Sequence, residues 1–185
     1  MTVKTAKGFT LIELLVVIGI IAILSALVLL AINPAEIQRK SRDTTRFSDL
    51  TAIRKAIDFT IADNGGPLKN GVAGAYTGDS SQTRIANTPN NYIGMDVSKF
   101  IPILPDDPQH LLGSNIAITI SDGATTVTRD NMRYYFASDG KNYELNAYLE
   151  SVDNNSKALN TGDGGDSNTR YEIGTAPTLG LIQGP

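Results

Sequence analysis

Between Leu14 and Ile32 the chain runs for 19 residues without a charge, LLVVIGIIAILSALVLLAI, and the uncharged window extends to Ala35. As a helix rising about 1.5 Å per residue, the run is roughly 28 Å long, close to the hydrocarbon thickness of a bilayer. It holds most of the apolar excess in a chain that is 41% hydrophobic, so the 185-residue average describes neither this segment nor the polar remainder. The segment must be covered by something outside an ordinary domain core, either lipid or other copies of itself. Residues 14–32 are accordingly expected to contact the membrane.

The start of this run is not that of a plain anchor. A secretory signal also opens with basic residues, here Lys4 and Lys7, but its cleavage site follows the apolar stretch, whereas Ser25-Ala26 lies inside it. Glu13 places a carboxylate at the head of the run, where burial in a bilayer is costly, though less so near a helix end. Phe9 lies four residues earlier. If the chain is cut between Gly8 and Phe9, the new amino group and Glu13 are opposite charges one turn apart, both poorly solvated. In parallel, staggered copies the amine of one subunit can meet Glu13 of another and fix register, as one buried polar contact does in a coiled coil. The alternative is a Glu13 simply wetted at the headgroup level.

The string from Gly8 to Ile18, GFTLIELLVVI, preceded by a basic leader and followed by a long apolar run, resembles the class III leader and helix start of type IV pilins and type II secretion pseudopilins. The resemblance implies cleavage after Gly8 by a dedicated prepilin peptidase, N-methylation of Phe9, and Glu13 as intersubunit partner of that amine. It also implies a homopolymeric filament and a pilus or secretion assembly platform as partners. The precursor would be a single-pass membrane protein and the product an extracellular or envelope-associated filament. The mature chain would have 177 residues, and loss of Lys4 and Lys7 would move the net charge from -3 to -5.

Beyond the membrane segment, Phe47, Leu50, Ile53, Ile57 and Ile61 recur at helical spacing, with Ile37 further upstream, and Asn64-Gly65-Gly66-Pro67 ends the pattern. A continuous helix from Phe9 to Ala62 would be about 80 Å long. Pro34, which cannot donate to the Leu30 carbonyl, predicts a kink or a locally unwound stretch. The family often places a helix-breaking proline four residues earlier, where this chain has Leu30. Residues 65–95 read as a long irregular loop. Arg133–Ser138 and Asn142–Leu149 read as a hairpin through Asp139-Gly140-Lys141, and Ile116–Ile120 pairs with Thr125–Arg129. The expected fold is α+β and pilin-like: a long N-terminal helix, half membrane-spanning and half amphipathic, packed on a small antiparallel sheet. Its divisions are a leader at 1–8, a transmembrane or filament-core helix at 9–33, the amphipathic half at 34–63, and a polar head at 64–185. The strings Leu104-Pro105-Asp106-Asp107-Pro108 and Tyr134 to Gly140 resemble the proline-aspartate turn and aromatic strand of major pseudopilins and of pilins lacking cysteine.

The remaining candidates are chemical. Asp163, Asp166 and Asn168 place hard oxygen ligands on a glycine-rich turn with Glu172 nearby, a set suited to Ca²⁺ more than to a transition metal, and major pseudopilins carry Ca²⁺ in a similar loop. The spacing is not that of an EF-hand, and such loops are also commonly just solvated. Glu144 and Glu150 read as exposed strand residues, and the cluster Arg39, Lys40, Arg42 and Arg46 as a juxtamembrane anchor. With no cysteine and one histidine, His110, neither disulfides nor thiolate sites are available, and no nucleophile partner for His110 is evident. Adjacent Asp106 and Asp107 make a poor acid-base pair, so no catalytic residue is assigned. The acidic balance does not suit nucleic-acid binding. Two functions stay open: the structural subunit of a type IV pilus, or a major pseudopilin of a type II secretion-like system.

Overall fold

The computed structural model describes residues 8–64, 76–80, 84–86, 91–113, 115–156, 159, 163 and 165–175. Lys4 and Lys7 of the expected leader, and much of the expected 65–95 loop, lie outside these residues. Contacts divide the chain into two compact units, Met1–Ile37 and Gln38–Pro185.

The first unit contains α1, Leu11–Ala31. Its side chains are apolar all the way round and, from Leu11 to Val28, exposed on every face, as expected for a helix that finds its burial outside its own fold. The helix ends where Ile32 turns extended while its N–H still bonds the Val28 carbonyl at 3.0 Å. A second helix, α2, begins at Pro34 and runs to Asn64. The expected continuous helix is therefore interrupted at Ile32-Asn33, next to the proline that predicted a break. Pro34 occupies the first helical position, where a missing N–H costs nothing, and the Glu36 N–H donates to Asn33 Oδ1 at 3.2 Å as an N-cap bond.

In the second unit α2 packs one face on a four-stranded antiparallel sheet of order β1-β4-β5-β6. The strands are β1 (Tyr76–Asp79), β4 (Tyr135–Ser138), β5 (Tyr143–Tyr148) and β6 (Arg170–Gly174). Leu50, Ile53, Ala56 and Ile57 meet Phe136, Tyr143, Leu145 and Ala147, with Tyr92, Ile93, Val97 and Leu104 closing the core. Ile61 is half-buried against it, Phe47 packs edge-on to Tyr171 at 4.7 Å, and Ile37 is exposed. The 133–149 hairpin forms with slightly shorter strands, because the Tyr134 N–H donates to Ser80 Oγ instead of entering the ladder.

A separate two-stranded hairpin, β2 (Ala117–Thr119) and β3 (Thr126–Thr128), matches the expected pairing. Ile118 and Val127 pack with Ile120, Met132, Tyr135 and Tyr148, so this hairpin covers part of the sheet face opposite α2. Consequently every residue of β5 is buried. The expected exposure of Glu144 is thus wrong: polar alternation signals a wet face only when that face has no second layer. Strands β1 and β6 were not anticipated. Gly174 closes β6 where no other residue fits, since a Cβ there would lie 2.1 Å from the Tyr143 carbonyl oxygen.

Candidate functional site

The head of α1 is built around Thr10 and Glu13. Thr10 is the N-cap; its N–H and hydroxyl both donate to Glu13 Oε2, at 2.9 and 2.8 Å, and the Glu13 N–H donates back to Thr10 Oγ1 at 3.3 Å. This is a capping box, and the pattern Thr-x-x-Glu before an apolar run was the signal for it. Phe9, Ile12, Glu13, Val16 and Val17 line a groove of about 310 Å³ along one side of the helix. A fixed carboxylate thus stands in an otherwise apolar groove, while Gly8 and Phe9 are exposed ahead of the cap.

In the basic cluster after α1, Arg46, Arg42 and Lys40 pair with carboxylates of the head, and Arg46 is buried there. Arg46 is 0% exposed and donates to Asp43 Oδ1 at 2.6 Å, Asp107 Oδ2 at 2.6 Å and Oδ1 at 2.9 Å, and Glu150 Oε1 at 2.7 Å. Arg42 holds both oxygens of Glu150, at 2.9 and 2.5 Å, and Lys40 pairs with Asp153 at 3.0 Å. Asp43 also accepts the N–H groups of Glu150 and Ser151 and the amide of Asn154. Glu150, read as exposed, is buried here. Burial alone would raise its pKa, but the Arg42 hydrogen bonds, the charge of Arg46 and the Gln109 amide together hold it at about 2. Because Asn154 is buried on Asp43, the Asn154-Asn155-Ser156 sequon is not presented as an acceptor.

In the proline-aspartate turn the two carboxylates diverge. Asp107 faces Arg46, whereas Asp106 accepts the Ser80 hydroxyl on one oxygen and meets His110 Nδ1 at 2.6 Å on the other. The carboxylate therefore separates hydroxyl from imidazole, and nucleophilic catalysis needs those two in contact.

Of the four proposed Ca²⁺ ligands, the fold joins Asp163 and Glu172. Asp163 Oδ2 accepts the Glu172 N–H at 2.6 Å, its Oδ1 accepts the Gly165 N–H at 3.0 Å, and Glu172 Oε2 accepts the Ser167 N–H at 2.7 Å. Gly165 lies so close that a Cβ would come within 2.0 Å of Glu172 Oε2. Asp166 and Asn168 are exposed. Among the described residues no three histidine, cysteine, aspartate or glutamate side chains gather as a metal-holding group. Glu172 is pushed up to about 8 by burial, with the Glu144 carboxyl and Asp166 adding to the effect.

The described chain thus has one capped helix long and apolar enough to cross a membrane, followed by a separately folded polar unit. Residues 3–29 match the prokaryotic N-terminal methylation motif. That motif is diagnostic of the type IV pilin and pseudopilin prepilin family, and this chain carries it. No curated protein and no solved structure matches the chain. The signature and the apolar helix support a pilin- or pseudopilin-type structural role and accord with a membrane-anchored precursor.

Proposed function

We propose that the chain is the structural subunit of a type IV pilus, cleaved after Gly8, methylated at Phe9, and polymerised through α1. The observation that carries this reading is an apolar helix exposed on all faces, with one carboxylate capped in its first turn, lying inside the methylation motif. Copies packed around a common axis would bury that surface. In the capping box Glu13 spends Oε2 on Thr10, and a carboxylate has capacity for a further donor. The free amine of a neighbouring Phe9 is such a donor. The prepilin peptidase and methylase, the assembly platform and the membrane are the partners this scheme requires.

The absence of cysteine and the acidic C-terminal loop give the major-pseudopilin reading its support. Filaments built of this chain on the cell surface, seen by electron microscopy, would favour the pilus. Their absence, with protein secretion lost on deletion, would favour the secretion system.

Ca²⁺ at Asp163, Asp166, Asn168 and Glu172 belongs to the same proposal. The loop would have to trade its N–H contacts for the cation and Glu172 would have to give up a proton. Calorimetric titration in two buffers should therefore show proton release on Ca²⁺ binding. Identical heats in both buffers, or no binding, would count against the site.

A further inference from the structure

Toward the C-terminal end of α2 the head exposes two aromatic rings. Phe59 on α2 and Phe100 on the loop before Ile101 are 56% and 39% exposed, with ring centroids 5.4 Å apart and planes inclined at 40°. Phe100 forms one wall of a cleft of about 220 Å³, and Thr60, Asp63, Asp96, Ser98 and Lys99 form the rest. An exposed apolar surface rimmed by polar groups in a cleft is the composition of a ligand-contact site. The polar groups are already organised. Lys99 Nζ is 2.7 Å from Asp63 Oδ2, and Asp96 Oδ1 accepts the Ser98 N–H at 2.9 Å and its hydroxyl at 2.6 Å.

These details select the ligand class. A cationic ligand would seek the ring face and the carboxylates, but Lys99 already sits 5.6 Å from the Phe100 centroid and neutralises Asp63. An aliphatic chain would strip water from Lys99 and the two carboxylates and offer no hydrogen bond in exchange. A small carboxylate or phosphate would face two Asp side chains and one Lys. A neutral polyol satisfies every part: its C–H face lies on the aromatic wall, and its hydroxyls donate to Asp63, Asp96 and the Ser98 hydroxyl oxygen and accept from Lys99. We propose that this cleft binds one pyranose unit of a carbohydrate. The inference concerns the head alone and holds for either reading of the filament.

The test uses the full chain in dodecylphosphocholine micelles with methyl glucopyranoside, methyl galactopyranoside and N-acetylglucosamine as probes. Saturation-transfer NMR should show transfer to the ring C–H protons of at least one of them, and Phe100→Ala should weaken that sugar about tenfold. Lys99→Met should also weaken it, whereas Leu112→Ala, at an exposed site on another segment, should not. Circular dichroism of each variant matching the parent separates lost binding from lost folding. No transfer from any of the three sugars would overturn the proposal. So would binding unchanged by Phe100→Ala in a folded variant, or tetramethylammonium binding in place of the sugars.

Discussion

Arg46 is a fully buried cation ringed by three carboxylates. Burying a guanidinium is tolerable only because Asp43, Asp107 and Glu150 compensate it, and the reverse is equally true of the carboxylates. Arg46→Met should therefore destabilise the head by about 3–5 kcal/mol in urea unfolding, far more than the loss of an exposed pair such as Arg54 with Asp58. The network also sets an acid limit. Glu150 has its folded pKa depressed to about 2, so its contribution is fully present above the unfolded carboxylate value near 4.5 and is lost as pH falls from there toward 2. Stability measured across that interval should fall, and Glu150→Gln should lower the neutral-pH plateau while flattening the acid slope. At the other end of the chain, Thr10 and Glu13 separate into two roles. Thr10→Ala removes an N-cap, worth about 1 kcal/mol of local helix stability. Glu13→Ala should in addition cut sedimentable filament about tenfold or more, corresponding to about 1.4 kcal/mol per interface, while membrane insertion stays intact. Normal filament yield from Glu13→Ala would remove the register role.

Among the elements, α2 shows how far the sequence could be read. Its apolar stripe at Leu50, Ile53 and Ile57 is visible in the spacing, and the structure buries those residues against the sheet. The same face continues upstream through Asp43 and Arg46, which are equally buried. Hydrophobic periodicity passes over these two positions because ions stabilise that part of the interface. The partners that give the ions away, Asp107 and Glu150, lie 61 and 104 residues from Arg46. β6 escaped for a related reason. Arg170 and Glu172 point into a covered face, where Arg170 stacks on Tyr135 and Tyr148 at 4.6 and 4.5 Å; Tyr171 and Ile173 alternate with them toward the core, but five residues are too short a run to mark a strand when its charged half gives no sign of burial. Glu13 and its apolar run were legible because local chemistry defines them. Asn33-Pro34 was legible as a break but not as the cap of a second helix. Replacing Pro34 by Ala restores a backbone donor, and amide NMR should then find Ile32 and Asn33 helical and more protected from exchange. Unchanged shifts there would mean that Asn33 alone sets the boundary.

At the scale of the molecule, the two units have opposite needs. From Leu11 to Val28 α1 is exposed on every side, whereas the head closes two layers over its sheet and ties α2 to them with charges. Removing residues 1–8 would take away two lysines and move the terminal amine to Phe9, four residues before the capped Glu13, and on this account that change converts a membrane segment into a filament core. The most direct test is intact-mass and terminal-peptide spectrometry of the chain purified from its assembled form. The account predicts a 177-residue chain beginning at Phe9 and carrying one added methyl group on its amine. An N-terminus retaining residues 1–8 in the assembled material, or a cut within or after the Leu14–Ile32 run, would contradict it.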